Sequence, residues 1–280
     1  MRTVFWSAKG GSGVTVTALG LGLATPDCLI VDLCGDAALA LGVDEPSIGL
    51  LAWLHATQAV DASALDRLII NVRPGLALLP AGTTRPDHSP SPMVVAERFA
   101  LLNHYLASRC SSANQTSNKQ TRKQQHRVLM NVSQSANDRT GATQNAEMQW
   151  SNVIVDVGTL KQNDTTGREV LLEEADRSLL VVKSCFLAVH ATVGLTSRAQ
   201  GIVVVCDEER RITDNDIAAA LELPVVATVV LQPAVARAVD AGLLVARLPR
   251  AFVRSLEALQ PSMEPAPSSR RILNRAAVAS

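Results

Sequence analysis

Short runs rich in Val, Ile and Leu recur along the chain, each separated from the next by a stretch with helical spacing. Candidate strands are Arg2–Ser7, Cys28–Leu33, Leu76–Pro80, Asn152–Val157, Ser178–Lys183, Ile202–Cys206 and Val225–Val230. Several are apolar almost throughout instead of alternating, as expected of strands covered on both faces. Helical patterns follow at Ala18–Ala24, Leu187–Arg198, Asp214–Leu221 and Val235–Leu243, with Thr213 placed to cap the third. Val245–Leu259 has the spacing of an amphipathic helix, of the kind that packs on a core more often than on a bilayer. Strands alternating with helices predict an α/β fold, a doubly wound, mostly parallel sheet with helices on both faces. Ligands of such sheets bind at the carboxyl ends of the strands.

Two segments break the rhythm. From 110 to 149 Asn, Gln, Ser, Thr and basic residues dominate, and the expectation is a disordered insertion, either a solvated loop or a partner-binding one. Lys119, Arg122, Lys123, Arg127 and Arg139 outnumber Asp138 and Glu147 there. Residues 261–280 read as a flexible tail. Residues 1–109 and 150–260 are then expected to form a single domain.

The chain's chemistry concentrates in Ser7-Ala8-Lys9-Gly10-Gly11-Ser12-Gly13-Val14-Thr15-Val16-Thr17, between the first strand and the first helix. Glycines there let backbone N–H groups converge on an anion, and the helix N-terminus adds partial positive charge. Against the phosphate-loop pattern G-x-x-x-x-G-K-[ST], the chain reads A-x-x-x-x-G-V-T. Val14 takes the place of the phosphate-gripping lysine, and Lys9 opens the loop. A glycine loop alone also suits a bare turn. Two aspartates at strand tips, Ile30-Val31-Asp32 and Val153-Ile154-Val155-Asp156, count against that reading. A carboxylate at the end of a buried strand, beside the loop hydroxyl of Thr15, is what a nucleotide-bound Mg²⁺ requires.

Composition removes other readings. The 26 basic and 26 acidic residues cancel, so no global charge favours nucleic acid or an anionic membrane. Aromatics at 3% are too few for a base-stacking platform. The five cysteines include no C-x-x-C pair and no ligand cluster with the five histidines, and read as reduced, mostly buried thiols. The apolar start runs straight into glycines, unlike a secretory leader, and no apolar run approaches about 18 residues, so a cytoplasmic protein is expected. Arg247, Arg250, Arg254, Arg270, Arg271 and Arg275 against Glu257 and Glu264 make the C-terminal end basic, either a solvated face or a weak nucleic-acid or anionic-lipid contact.

Lys9-Gly10-Gly11-Ser12-Gly13-x-Thr15 resembles the deviant Walker A motif of the ParA/MinD family of ATPases. Val31-Asp32-Leu33 is similar to the family's switch I, Val155-Asp156-Val157-Gly158 to its Walker B, and Ala175–Val182 to the strand that follows. Val235–Gly242 resembles its late helix after the base-contacting loop. The likeness covers most of 1–109 and 150–256, and is greatest to actinobacterial septum-site-determining and TadZ/CpaE-like members. It implies ATP with Mg²⁺ and a nucleotide-sandwich homodimer in which Lys9 reaches the partner's phosphates. By the same resemblance Gly10, Gly11, Ser12, Gly13, Val14 and Thr15 wrap the phosphates and Thr17 belongs to the same cofactor-binding set. Thr15 ligates Mg²⁺ with Asp156 behind it, and Asp32 orients the attacking water.

Departures weigh against full activity. Val14 removes a charge-assisted contact worth about 1.5–3 kcal/mol for binding. Cys34 stands at the second acid of the family's D-x-D switch, with Asp36 two residues on, and reads as filler; Ser184 replaces a frequent proline. The resulting expectation is an ATP-binding spatial regulator of a septum, pilus-type secretion machine or chromosome partner, hydrolysing slowly or not at all. The rival is a nucleotide-free scaffold that kept the fold. A fully active DNA-partitioning ATPase is disfavoured by the neutral charge and the missing lysine.

Overall fold

The seven Val/Ile/Leu runs and one further edge strand, β3, form an eight-stranded sheet among the described residues: β1 (Arg2–Ser7), β2 (Cys28–Asp32), β3 (Ile70–Arg73), β4 (Leu76–Leu79), β5 (Asn152–Thr159), β6 (Arg177–Lys183), β7 (Gly201–Cys206) and β8 (Val225–Val230). The computed structural model describes residues 1–84, 90–110, 149–162, 164, 166–207 and 212–261. Spatial order is β3-β4-β2-β5-β1-β6-β7-β8. Every neighbouring pair is parallel except β3 with β4. The expected doubly wound, mostly parallel sheet is observed.

Strand pleating divides the core into two layers. Val4 and Trp6 of β1 point into one apolar cluster, with Leu29, Val31, Val153 and Val155. That cluster is covered by α3 (Leu50–Leu54), α4 (Pro92–Arg109), α5 (Glu169–Glu173) and α7 (Asp214–Leu221). Phe5, between Val4 and Trp6, points into the other, with Ile30, Ile154 and Val203. This second layer is closed by α1 (Val14–Ala24), α2 (Ala37–Leu41), α8 (Pro233–Asp240) and α9 (Arg250–Ser255). Gly20 lets α1 lie close to α9: a Cβ there would come within 2.4 Å of the Phe252 ring.

Some elements differ from expectation. The spacing over Leu187–Arg198 predicts one helix, but α6 (Phe186–Thr192) stops short of a separate 3₁₀ turn at Thr196–Arg198. Gly194, at φ 85°, turns the chain between them. Val245–Leu259 is likewise not one helix. Pro249, with no N–H to give, precedes α9, and a 3₁₀ turn at Glu257–Leu259 follows. The edge strand β3 and the long helix α4 have no counterpart in the sequence reading; α4 starts at Ser91, whose hydroxyl accepts from the Val94 N–H, with Pro92 after it. The expected Thr213 cap is present as a reciprocal pair with Asp216. Cys110 and Trp150 pair as an isolated bridge. The expectations for the 110–149 insertion and the 261–280 tail fall on 111–148 and 262–280, outside the described residues.

Candidate functional site

The first loop is shaped by its own side chains. Ser7 and Ser12 hydroxyls both donate to the Lys9 carbonyl, at 3.0 and 2.6 Å, drawing residues 7–12 into a tight bend. Gly13 then precedes α1 at φ 87°, a backbone state that a side chain would strain. Gly11 also has positive φ, and a Cβ there would meet nothing within 4 Å. Among the described residues, no backbone N–H from Gly10 to Val16 has a hydrogen-bond acceptor. The first bond of α1 runs from the Thr17 N–H to the Gly13 carbonyl. Unpartnered amides at the start of a helix make a donor-rich, positively polarised concavity.

Beside it stand the two strand-tip aspartates. β2 and β5 are parallel neighbours in register, and Asp32 pairs directly with Asp156. Both are buried. Asp32 is claimed by its own loop: Oδ1 accepts from the Cys34 and Gly35 N–H groups at 2.7 and 3.0 Å, and Oδ2 from Ala37 N–H at 3.2 Å. Burial raises its proton affinity, and these three amides oppose the rise.

Asp156 is placed differently. Its Oδ1 accepts from the Gly158 N–H at 3.0 Å and from the Cys34 thiol at 3.2 Å. Its Oδ2 has no hydrogen-bond partner among the described residues. Burial first, and the neighbouring Asp32 charge second, push the carboxyl up to about 6. The Thr15 hydroxyl lies near enough to favour the carboxylate. An orphaned carboxylate oxygen beside a hydroxyl, at the foot of a row of free amides, fits a hard divalent cation accompanying a phosphate. The residues present therefore suit Mg²⁺.

The remaining sequence candidates divide. Lys9 is exposed at the mouth of the loop. Val14 is 7% exposed and belongs to the apolar layer under α1, so residue 14 contributes packing and no charge. Thr17 is fully enclosed, and its hydroxyl has no partner among the described residues. Cys34, read from sequence as filler, touches Asp156, and no sequence signal revealed that contact. Asp32, Cys34 and Asp156 offer ligand atoms that all lie within 4.8 Å of one another. Gly158, at φ 74°, makes room for the sulfur, since a Cβ there would sit 2.5 Å from it. The five cysteines form no disulfide; Cys28 and Cys206 are buried, but Cys34, Cys110 and Cys185 are only half-buried, so the thiols are less enclosed than expected. A cavity of about 630 Å³ beside α8 shares no lining residue with the loop. Arg247, Arg250 and Arg254 are exposed, and the further C-terminal arginines lie outside the described residues.

No family model matches the chain, and no curated protein does. Solved structures do. A ParA family ATPase from Chlorobium tepidum TLS superposes with a TM-score of 0.58 at 18% identity, covering 92% of this chain and 98% of its own. The cell division ATPase MinD of Pyrococcus furiosus gives 0.59 at 17% identity, with the same coverage. The septum site-determining protein MinD of Pyrococcus horikoshii OT3, complexed with Mg-ADP, gives 0.57 at 16%, over 92% and 94% of the two chains.

This is the ParA/MinD fold.

In this version of the ParA/MinD fold, the loop after β1 and the tips of β2 and β5 meet at the carboxyl edge of the sheet, where chain connections diverge to either side of β1. No helix among the described residues is long and apolar enough to cross a membrane.

Proposed function

We propose that the chain binds ATP with Mg²⁺ in the loop from Lys9 to Thr15 and acts as a nucleotide-dependent spatial regulator. The observation that carries this reading is the row of unpartnered amides from Gly10 to Val16 beside the unpartnered Oδ2 of Asp156. The Gly10, Gly11, Ser12 and Gly13 amides would surround the phosphates. Thr15 would ligate Mg²⁺, with Asp156 fixing the ion's bound water. When bound, Mg²⁺ would neutralise phosphate charge. Asp32, its carboxylate held by three amides, would present a fixed negative charge beside the site of water attack.

Lys9 stands where a lysine could reach a second subunit's phosphates, so the active form is a homodimer with nucleotide between the two copies. Hydrolysis is slow or absent, because Val14 supplies no cation where transfer chemistry needs one. The solved relatives named MinD and ParA suggest the process: positioning a septum, a pilus-type machine or a chromosome partner through a protein partner. Arg247, Arg250 and Arg254 would add a weak contact to nucleic acid or anionic lipid.

Titration with ATP and Mg²⁺ tests the core of the reading, with saturable binding below millimolar nucleotide expected. No saturation at millimolar ATP would overturn it. The alternative, a scaffold without nucleotide, is favoured by the burial of Val14 in the apolar layer. Val14→Lys separates the two. A slow ATPase gains turnover with the restored cation, whereas a scaffold stays inactive.

A further inference from the structure

The pocket between β2 and β5 holds one donor that a magnesium site does not need. Cys34 follows the tip of β2, and its thiol donates to Asp156 Oδ1 at 3.2 Å. Two other features point toward a ligand there. Asp156 Oδ2 is buried without a partner, in a side chain 1% exposed. Gly158 leaves open the volume beside the sulfur, where a Cβ would sit 2.5 Å from it.

Distances between donor atoms suit direct coordination. A tetrahedral ion with a metal–sulfur bond of about 2.3 Å and a metal–oxygen bond of about 2.1 Å holds sulfur and oxygen about 3.6 Å apart. Cys34 Sγ and Asp156 Oδ1 already stand at 3.2 Å, and the Asp32 oxygen lies within 4.8 Å of both. Two carboxylates and one thiolate make a donor set with net charge −3, which a lone buried pocket tolerates only with a cation inside it. A thiolate donor selects against Mg²⁺, which takes oxygen ligands, and for zinc-like ions.

We propose that Cys34 is a metal ligand, and that Cys34, Asp156 and Asp32 hold a borderline-soft divalent ion of the Zn²⁺ or Co²⁺ type without help from nucleotide. On binding, the thiol gives up its proton to solvent, and the metal–sulfur bond replaces the S–H···O contact with Asp156. The ion places a dication at the floor of the loop in a protein whose residue 14 supplies no charge. This inference rests on the metal pocket of the proposed function, from which it differs in ion and in ligand.

The test uses the full chain, stripped of metal with a chelator and free of nucleotide, titrated with Co²⁺. A thiolate-to-cobalt charge-transfer band in the near ultraviolet should grow and saturate at one equivalent. Cys34→Ser should lose the band and bind Co²⁺ at least about tenfold more weakly, as loss of a ligand or its close support commonly does. Cys34→Ala should behave alike, and Cys185→Ser should keep the band. Saturation without the band, a band that survives in the Cys34 variants, or no binding near one equivalent would each overturn the inference. A parallel ATP and Mg²⁺ titration separates the two readings. ATP binding without a cobalt–sulfur band ends this inference alone, whereas a band without ATP binding supports it and ends the nucleotide reading.

Discussion

Asp156 is the residue whose protonation matters most. Its ordinary carboxyl titrates at 3.8, and in the folded chain burial and the facing Asp32 push it up to about 6. The ligand-free fold therefore takes up a proton between these two values. The carboxyl favours folding most below pH 4, and that favourable contribution is lost as pH rises through about 6. Asp32 shifts in the same direction, chiefly through burial. Both aspartates thus oppose folding at neutral pH when no cation is present, and a bound cation removes that opposition because it needs the charged form. Thermal shift should show a larger stabilisation by Mg²⁺ and ATP at pH 7.5 than at pH 5, with affinity falling about tenfold per unit below 6. An equal shift at both values would mean that Asp156 does not face the ion.

Among the elements, α1 shows how closely the parts must fit. A Cβ on Gly20 would stand 2.4 Å from Phe252 and 2.8 Å from Leu256. Replacing a mid-helix glycine by alanine ordinarily gains about 1 kcal/mol from propensity. Overpacking a filled core costs about 1–3 kcal/mol. Phe252 and Leu256 are fully enclosed with nowhere to retreat, so the second effect should win. Gly20→Ala should unfold at lower urea than the parent chain; a more stable variant would show that α9 can yield.

The glycines of that helix could be read from sequence, but their reason could not, since Phe252 lies more than two hundred residues away. The same limit explains the other differences. The fully buried strands were legible because each reads as an apolar run on its own. β3 was not, because its alternately half-buried and exposed residues are too few to form a pattern. Helices around Gly194 and Pro249 read too long because apolar spacing continues across breaks that backbone geometry imposes. At the site, Asp32 and Asp156 stood out as acids ending apolar strands. Their mutual register and the Cys34 contact arise from strand pairing, which no local window contains. Ser184 is similar: its N–H donates to the Val205 carbonyl at 2.8 Å, a bond that proline could not make.

For the whole molecule, the question is how a loop with no cation at residue 14 would hold a polyphosphate. Free amides would supply partial charge and a dication in the neighbouring pocket more, while within the loop from Ser7 to Thr17 the one full side-chain charge is at Lys9. In the single chain Lys9 is exposed and makes no ion pair among the described residues. Its carbonyl is pinned by Ser7 and Ser12, so the backbone is fixed while the side chain points away from the packed core. A second copy would offer it a phosphate target, and a charged contact shielded between two proteins is worth more than one in water. Dimerisation should then depend on nucleotide and on Lys9 together. Lys9→Ala should weaken ATP-dependent dimer formation by at least about tenfold, the scale of one lost charged hydrogen bond. Val14→Ala should disturb dimer formation less, since residue 14 only packs beneath the loop. Light scattering with and without ATP decides the matter. If Val14→Ala proves the more damaging, the loop depends on packing under α1, and Lys9 has no role across an interface.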